Sequence, residues 1–251
     1  MSKKVVYLLG HQARVGKDTL AEKLHYYRAF QRFAFADKLK QTAADLFDLS
    51  PDQVTGDLKD VEDQRYPNTR DCEFNLESFP SSETGRKGTW DDVKEVPNPD
   101  YKPFLTPRRI FQFFGQDQRS LYEDIWAQYV FNQIDRHPFS NFAITDFRFP
   151  NEYAVAKRWQ EKEPATRKVV TVKIERPGFE RTFAGSEDIS ETALNGFEWD
   201  HVLINEGSPD DLFVKFEKIS LSVGIEQKPR IAFGLDPEVE LANIIATVKN
   251  D

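Results

Sequence analysis

A continuous apolar run over residues 5–9 ends at Gly10, and a helical pattern begins at Lys17. An uninterrupted run of this kind predicts a strand buried on both faces, as in a parallel sheet. Leu20 and Leu24 then share one face of a helix over 17–27. Strand, glycine-bearing loop and helix in immediate succession limit what this chain can fold into more than anything else in it. Such a loop turns backbone N–H groups toward one point, the helix adds the positive end of its dipole, and Lys17 adds a reaching cation. That is chemistry for a phosphate chain. Glycine at position 16 lets the backbone pass close to phosphate, and Arg14 offers a fork of donors. The expected phosphate-side contacts are Gly10, Arg14, Gly16, Lys17, Asp18 and Thr19.

Two features depart from the pattern G-x-x-x-x-G-K-[ST]. Five residues separate Gly10 from Gly16, and Asp18 stands where a hydroxyl usually meets Mg²⁺, with Thr19 one place later. Asp18, acting through water, and Thr19 are the candidate metal contacts.

Further strands are expected over 33–35, 142–145, 169–174 and 202–204. Helices are expected over 38–47, from Pro107 to near Gly115 behind a Thr106 cap, and over 119–135, 151–162 and 210–219. Strands alternating with helices predict an α/β fold, a doubly wound parallel sheet of P-loop NTPase type. Residues 1–222 form the expected main domain. Within it, 50–103 is polar, holds six prolines and reads as an extended loop or insertion. A glycine-bearing segment over 176–197 suits a lid that closes on ATP through Arg176 and Arg181. Residues 223–251 form an extension with a helix over 238–248, suited to pairing two copies as a homodimer or to capping one.

An acceptor phosphate needs Arg or Lys, and its base needs aromatic and amide groups. Lys40 follows the second strand, near the crevice where such sheets bind ligands. Arg108 and Gln112 are four apart on one helix face, with Arg109 beside them. Asp146 sits at a strand's carboxyl end, with Arg148 and Glu152 close behind. Each has a plain alternative: Lys40 and Arg109 as solvated charges, Arg108 and Gln112 as surface hydrogen-bonders, Asp146 and Arg148 as a structural ion pair. Trp126 fits a base platform or the core. Lys17 and Arg148 are the candidate catalytic residues, the second bridging donor and acceptor phosphates.

The net charge of −8 argues against a broad nucleic-acid face. No stretch approaches a membrane span, and the apolar run at the start is too short for a signal peptide. Cys72 is the single cysteine, which rules out an internal disulfide and points to a reducing cytoplasm.

Taken in order, GKDT, FADKLK, RRIFQFFGQD, Trp126, TDFRFPNE, VVTVKIERPG and DHVLINEGSPDDLF make the chain resemble the deoxynucleoside monophosphate kinases of tailed bacteriophages. The resemblance runs from about residue 4 to residue 220 and leaves the proline-rich stretch and the tail unmatched. It implies ATP, Mg²⁺, a deoxynucleotide acceptor and a host-cytoplasmic setting, and it assigns Arg14, Gly16, Lys17, Asp18 and Thr19 to the ATP side. It also implies substrate contacts at Lys40, Arg108, Gln112, Asp146 and Arg148, with Arg65 as a further one. Two other readings stay open: a kinase for another phosphorylated metabolite, of the dephospho-coenzyme A or phosphomevalonate type, and a nucleotide-binding protein without transfer activity. A GTPase switch is disfavoured, because no N-K-x-D guanine motif occurs and NQID at 132–135 falls in a helical stretch.

Overall fold

A computed structural model describes residues 3–10, 12, 14–71, 73–78, 93–99, 101–137, 141–178 and 192–224. The chain divides into two compact units. One comprises the residues up to Lys38 and from Gln118 onward; the other is Leu39–Asp117.

The first unit is built on β1 (Lys4–Gly10), β2 (Gln31–Phe33), β5 (Asn141–Phe147), β6 (Arg167–Glu175) and β7 (His201–Ile204). They form one sheet in the order β2–β5–β1–β6–β7, all neighbours parallel. β1 is therefore central, and Val5 to Leu9 are almost wholly removed from water. Each such side chain contributes roughly 1.5–3 kcal/mol. Alternation sends Val5, Tyr7 and Leu9 to one face, where they meet α1 (Lys17–Arg28) and α7 (Pro209–Ser222) through Leu20, Leu24, Phe213 and Phe216. Val6 and Leu8 face the other way and are equally buried. α5 (Ile125–Arg136) and α6 (Pro150–Lys162) pack together, Phe131 against Trp159, and α6 lies on β6. A parallel sheet flanked by helices on both faces results, as the alternating pattern requires.

α2 (Phe35–Leu46) and α4 (Pro107–Leu121) carry the chain between the units. α2 starts at Phe35, three residues earlier than its sequence suggests, because the Asp146 carboxylate accepts its first N–H groups. α4 runs through Gly115 instead of stopping there. A lone glycine costs a helix only about 1 kcal/mol, and no proline follows to end it.

Among its described residues, the stretch 50–103 carries short regular elements. It holds α3 (Pro51–Val54), a 3₁₀ turn at Asp57–Asp60 and an antiparallel hairpin of β3 (Phe74–Ser78) with β4 (Val93–Pro97). Ser50 and Gln53 close α3 with a reciprocal capping box. Among the described residues, no helix is long and apolar enough to cross a membrane. The expected tail helix, and residues 179–191 of the expected lid with Arg181, lie outside the described residues.

Candidate functional site

Because the strands are parallel, the segments leaving β1, β5, β6 and β7 emerge along one edge of the sheet. Gly10 is in register with Phe147 on one side and Lys173 on the other. Arg148 therefore leaves the sheet beside the loop that follows β1. Among its described residues, Arg14 at φ 61° and Gly16 at φ 104° are left-handed and bend that loop. Lys17 opens α1 with only 6% of its surface exposed, and its Nζ donates to the Gln12 carbonyl. A cavity of about 260 Å³ opens against this turn. Arg14 and Gly16 to Thr19 form one wall, Arg176 beyond β6 another, and Asn205, Gly207, Pro209 and Leu212 around the start of α7 the third. Buried and exposed cations converge with a helix N-terminus, which favours a polyanion.

The two glycines of the loop differ in what they make room for. A Cβ on Gly16 would meet the Asn205 amide at 2.7 Å and Leu212 at 3.1 Å, in a backbone conformation that already favours glycine. Gly10 is the last residue of β1, and a Cβ there would meet the Trp199 ring at 2.2 Å. Its small size admits Trp199, which packs edge-on against Phe147 and Phe197. Gly10 does not line the cavity.

Asp146 lies inside β5, and its carboxylate accepts the N–H groups of Phe35 at 2.7 Å and Ala36 at 2.9 Å. It thus caps α2 from the neighbouring strand. Loss of water raises its pKa above the ordinary carboxylate value, against those hydrogen bonds. Glu152 accepts the backbone N–H groups of Arg148 at 2.8 Å and Phe149 at 3.0 Å, which fixes the turn that presents Arg148. Burial, and then the Asp146 charge, push the Glu152 carboxyl up to about 8. Arg32, at the middle of β2, donates to Asp37 at 2.9 Å and reaches Asp18 at 3.4 Å. Burial works against its charge, but Asp37, Asp18 and Asp146 together raise its pKa. Trp126, one of the two readings of which was a base platform, is buried in α5 beside Ala127 and Val130.

The second unit holds the remaining candidates, and four of its arginines have carboxylate partners. Arg65 grips Asp63 at 2.7 Å, and these hydrogen bonds hold the Asp63 carboxyl far below its usual range. Arg108 pairs with Asp60, the second contact being 3.0 Å. Arg109 pairs with Asp71 through Nε at 2.9 Å and donates to Gln112 at 3.3 Å. Arg70 meets both oxygens of Asp117 at 2.8 and 2.9 Å. Arg70 and Arg109 both stack on Phe113. Gln112 thus engages Arg109. Lys40 lies half-buried in α2.

Asn205, Arg32 and the Gly207–Pro209 turn had no place among the residues singled out from the sequence. The signal for the turn was present: N-E-G-S-P follows an apolar strand and opens a helix with Ser208 as cap and Pro209 at its first position. In a parallel sheet that places it on the same edge as the loop after β1.

Together the fold and site define an α/β protein with a cationic cavity at the carboxyl edge of a parallel sheet. The chain matches no protein-family model and no curated protein sequence.

Proposed function

We propose that this chain is a P-loop kinase that transfers the γ-phosphoryl of ATP to a deoxynucleoside monophosphate, as its resemblance to the phage enzymes suggests. The observation that carries the proposal is the cavity on the first turn of α1, where Gly16 leaves room and Lys17 is buried. The strand order supports it, since β1 is central and the direction of winding reverses beside it, where open α/β sheets bind ligands.

The residues present fit both ATP and Mg²⁺. Arg14, Gly16, Lys17 and Arg176 would hold the triphosphate. Asp18 and Thr19 present a carboxylate and a hydroxyl at the cavity, hard oxygen donors of the kind Mg²⁺ accepts beside phosphate oxygens and water. Bound there, the metal ion would neutralise charge on the transferring phosphoryl. Lys17 then supplies a cation that follows the migrating group, and Arg148 stabilises charge between donor and acceptor. Glu152 and Asp146 hold the turn and helix around that arginine. On the acceptor side, Arg108 is the candidate anchor, its guanidinium shared with Asp60 until a phosphate competes for it.

The test is a coupled assay of diphosphate formation with ATP and Mg²⁺ across each deoxynucleoside and ribonucleoside monophosphate. Dephospho-coenzyme A and phosphomevalonate serve as further acceptors. Turnover of one or more deoxynucleotides supports the proposal, and turnover of another acceptor alone replaces the substrate class. ATP binding without transfer to any acceptor makes the chain a nucleotide-binding protein.

A further inference from the structure

Asn205 follows β7 directly, and its N–H donates to the Glu175 carbonyl at 2.7 Å, tying it to the end of β6. Its side-chain Nδ2 donates to the Val15 carbonyl at 2.8 Å, across 190 residues of sequence. Val15 precedes Gly16, and both residues lie in the loop that bounds the cavity.

In a planar trans peptide the C=O and N–H bonds point in opposite directions. Holding the Val15 carbonyl therefore also holds the Gly16 N–H. An external hold is needed for a physical reason. Reversing the Val15–Gly16 peptide mainly exchanges one hand of backbone for the other at residue 16, and glycine tolerates both. The freedom that lets Gly16 adopt φ 104° leaves that peptide poorly fixed by local sterics. Arg14, at φ 61°, also holds a conformation costly for a side chain, so the turn around Gly16 carries strain of its own.

We propose that Asn205 is a positioning residue for the phosphate-binding loop, fixing the Val15–Gly16 peptide so that the Gly16 N–H keeps the direction used to bind phosphate. The inference rests on the proposal that this loop binds the phosphates of ATP. Asn205 acts through the peptide and takes no part in the transfer itself.

The experiment uses the full ¹⁵N-labelled chain with inorganic tripolyphosphate as probe. Calorimetry gives affinity, and the Gly16 amide resonance reports the peptide. Asn205→Leu removes the donor at similar size, and Asn205→Ala removes it without adding charge to the cavity wall that Asn205 helps form. Both variants should bind tripolyphosphate roughly tenfold more weakly, the order expected for one lost hydrogen bond. Their Gly16 resonance should move much less on titration than in the native chain. Melting temperature is recorded alongside, and if Asn205→Leu does not fold, Asn205→Ala carries the test. Native affinity in the folded variants overturns the proposal. So does a loss of affinity with an unchanged Gly16 response, which would place the effect elsewhere. If the unmutated chain binds neither tripolyphosphate nor ATP, the phosphate-loop reading itself fails, and that outcome is visible before any substitution is made.

Discussion

The Asp146 carboxylate accepts the Phe35 N–H at 2.7 Å, joining β5 to the start of α2 across 111 residues. Asp146→Ala should therefore leave the Phe35 and Ala36 N–H groups without their acceptor and lower stability by about 1–3 kcal/mol. Arg148→Ala should melt close to the native chain and lose turnover instead. Melting temperature and turnover measured on the same samples separate the two roles. A native melting temperature for Asp146→Ala would show that the cap contributes nothing.

Glu152 gives the fold a pH dependence of known sign. Its carboxyl is pushed up to about 8 in the folded chain from an ordinary 4.5, so the folded state holds the proton more tightly than the unfolded one. Its contribution is fully present below the ordinary value and is lost as pH rises through about 8, at up to ~1.4 kcal/mol per pH unit for one proton. Asp146 is raised as well and acts in the same direction. Glu152→Gln, which keeps an acceptor for the Arg148 N–H, should flatten the melting profile over that window and be the more stable protein on its alkaline side. Parallel profiles for the two proteins would refute the assignment.

Gly10→Ala tests whether that glycine serves packing. The added methyl would overlap the Trp199 ring, and overpacking of this kind costs about 1–3 kcal/mol. Combining it with Trp199→Leu should recover part of the loss, because the two positions are coupled. Additive losses in the double variant would place the strain elsewhere.

Lys17→Ala should abolish transfer while the chain stays folded. A lost cation at the migrating phosphoryl corresponds to a thousandfold or greater fall in turnover, roughly 4 kcal/mol of barrier. Turnover within tenfold of native would remove Lys17, and with it the P-loop assignment, from the proposal.

Arg108→Ala should change stability little, since its partner Asp60 is exposed and such pairs contribute about 0–1 kcal/mol. The loss should fall on the acceptor KM and spare ATP binding. Arg108→Lys should also impair acceptor use, because a point charge replaces a bidentate fork. Equal weakening of ATP and acceptor would put Arg108 on the wrong side of the reaction.

Much of the architecture was legible along the chain because it depends on local patterns. The buried run of β1, the helix face of Leu20 and Leu24, and the Gly16–Lys17 junction are each written within a few residues. So is the alternation of strands and helices that yields the parallel sheet. The hairpin of β3 with β4 was hidden because its strands lie apart in a polar, proline-rich stretch. The passage of α4 through Gly115 was missed because glycine discourages a helix without ending it.

What the tertiary structure alone decided are contacts between distant residues. Sequence placed Asp146 next to Arg148, but folding sets its carboxylate beneath α2. The motif gave Gly10 to the phosphate loop, whereas Trp199 fills the space its missing side chain leaves. Nothing in the chain's order ties Asn205 to Val15, or Arg108 to Asp60. Hydrophobic period and turn chemistry act over a few residues and can be read in order. A hydrogen-bond donor finds its acceptor only after the sheet has chosen its strand order, and that choice brought four carboxyl-end segments to one edge.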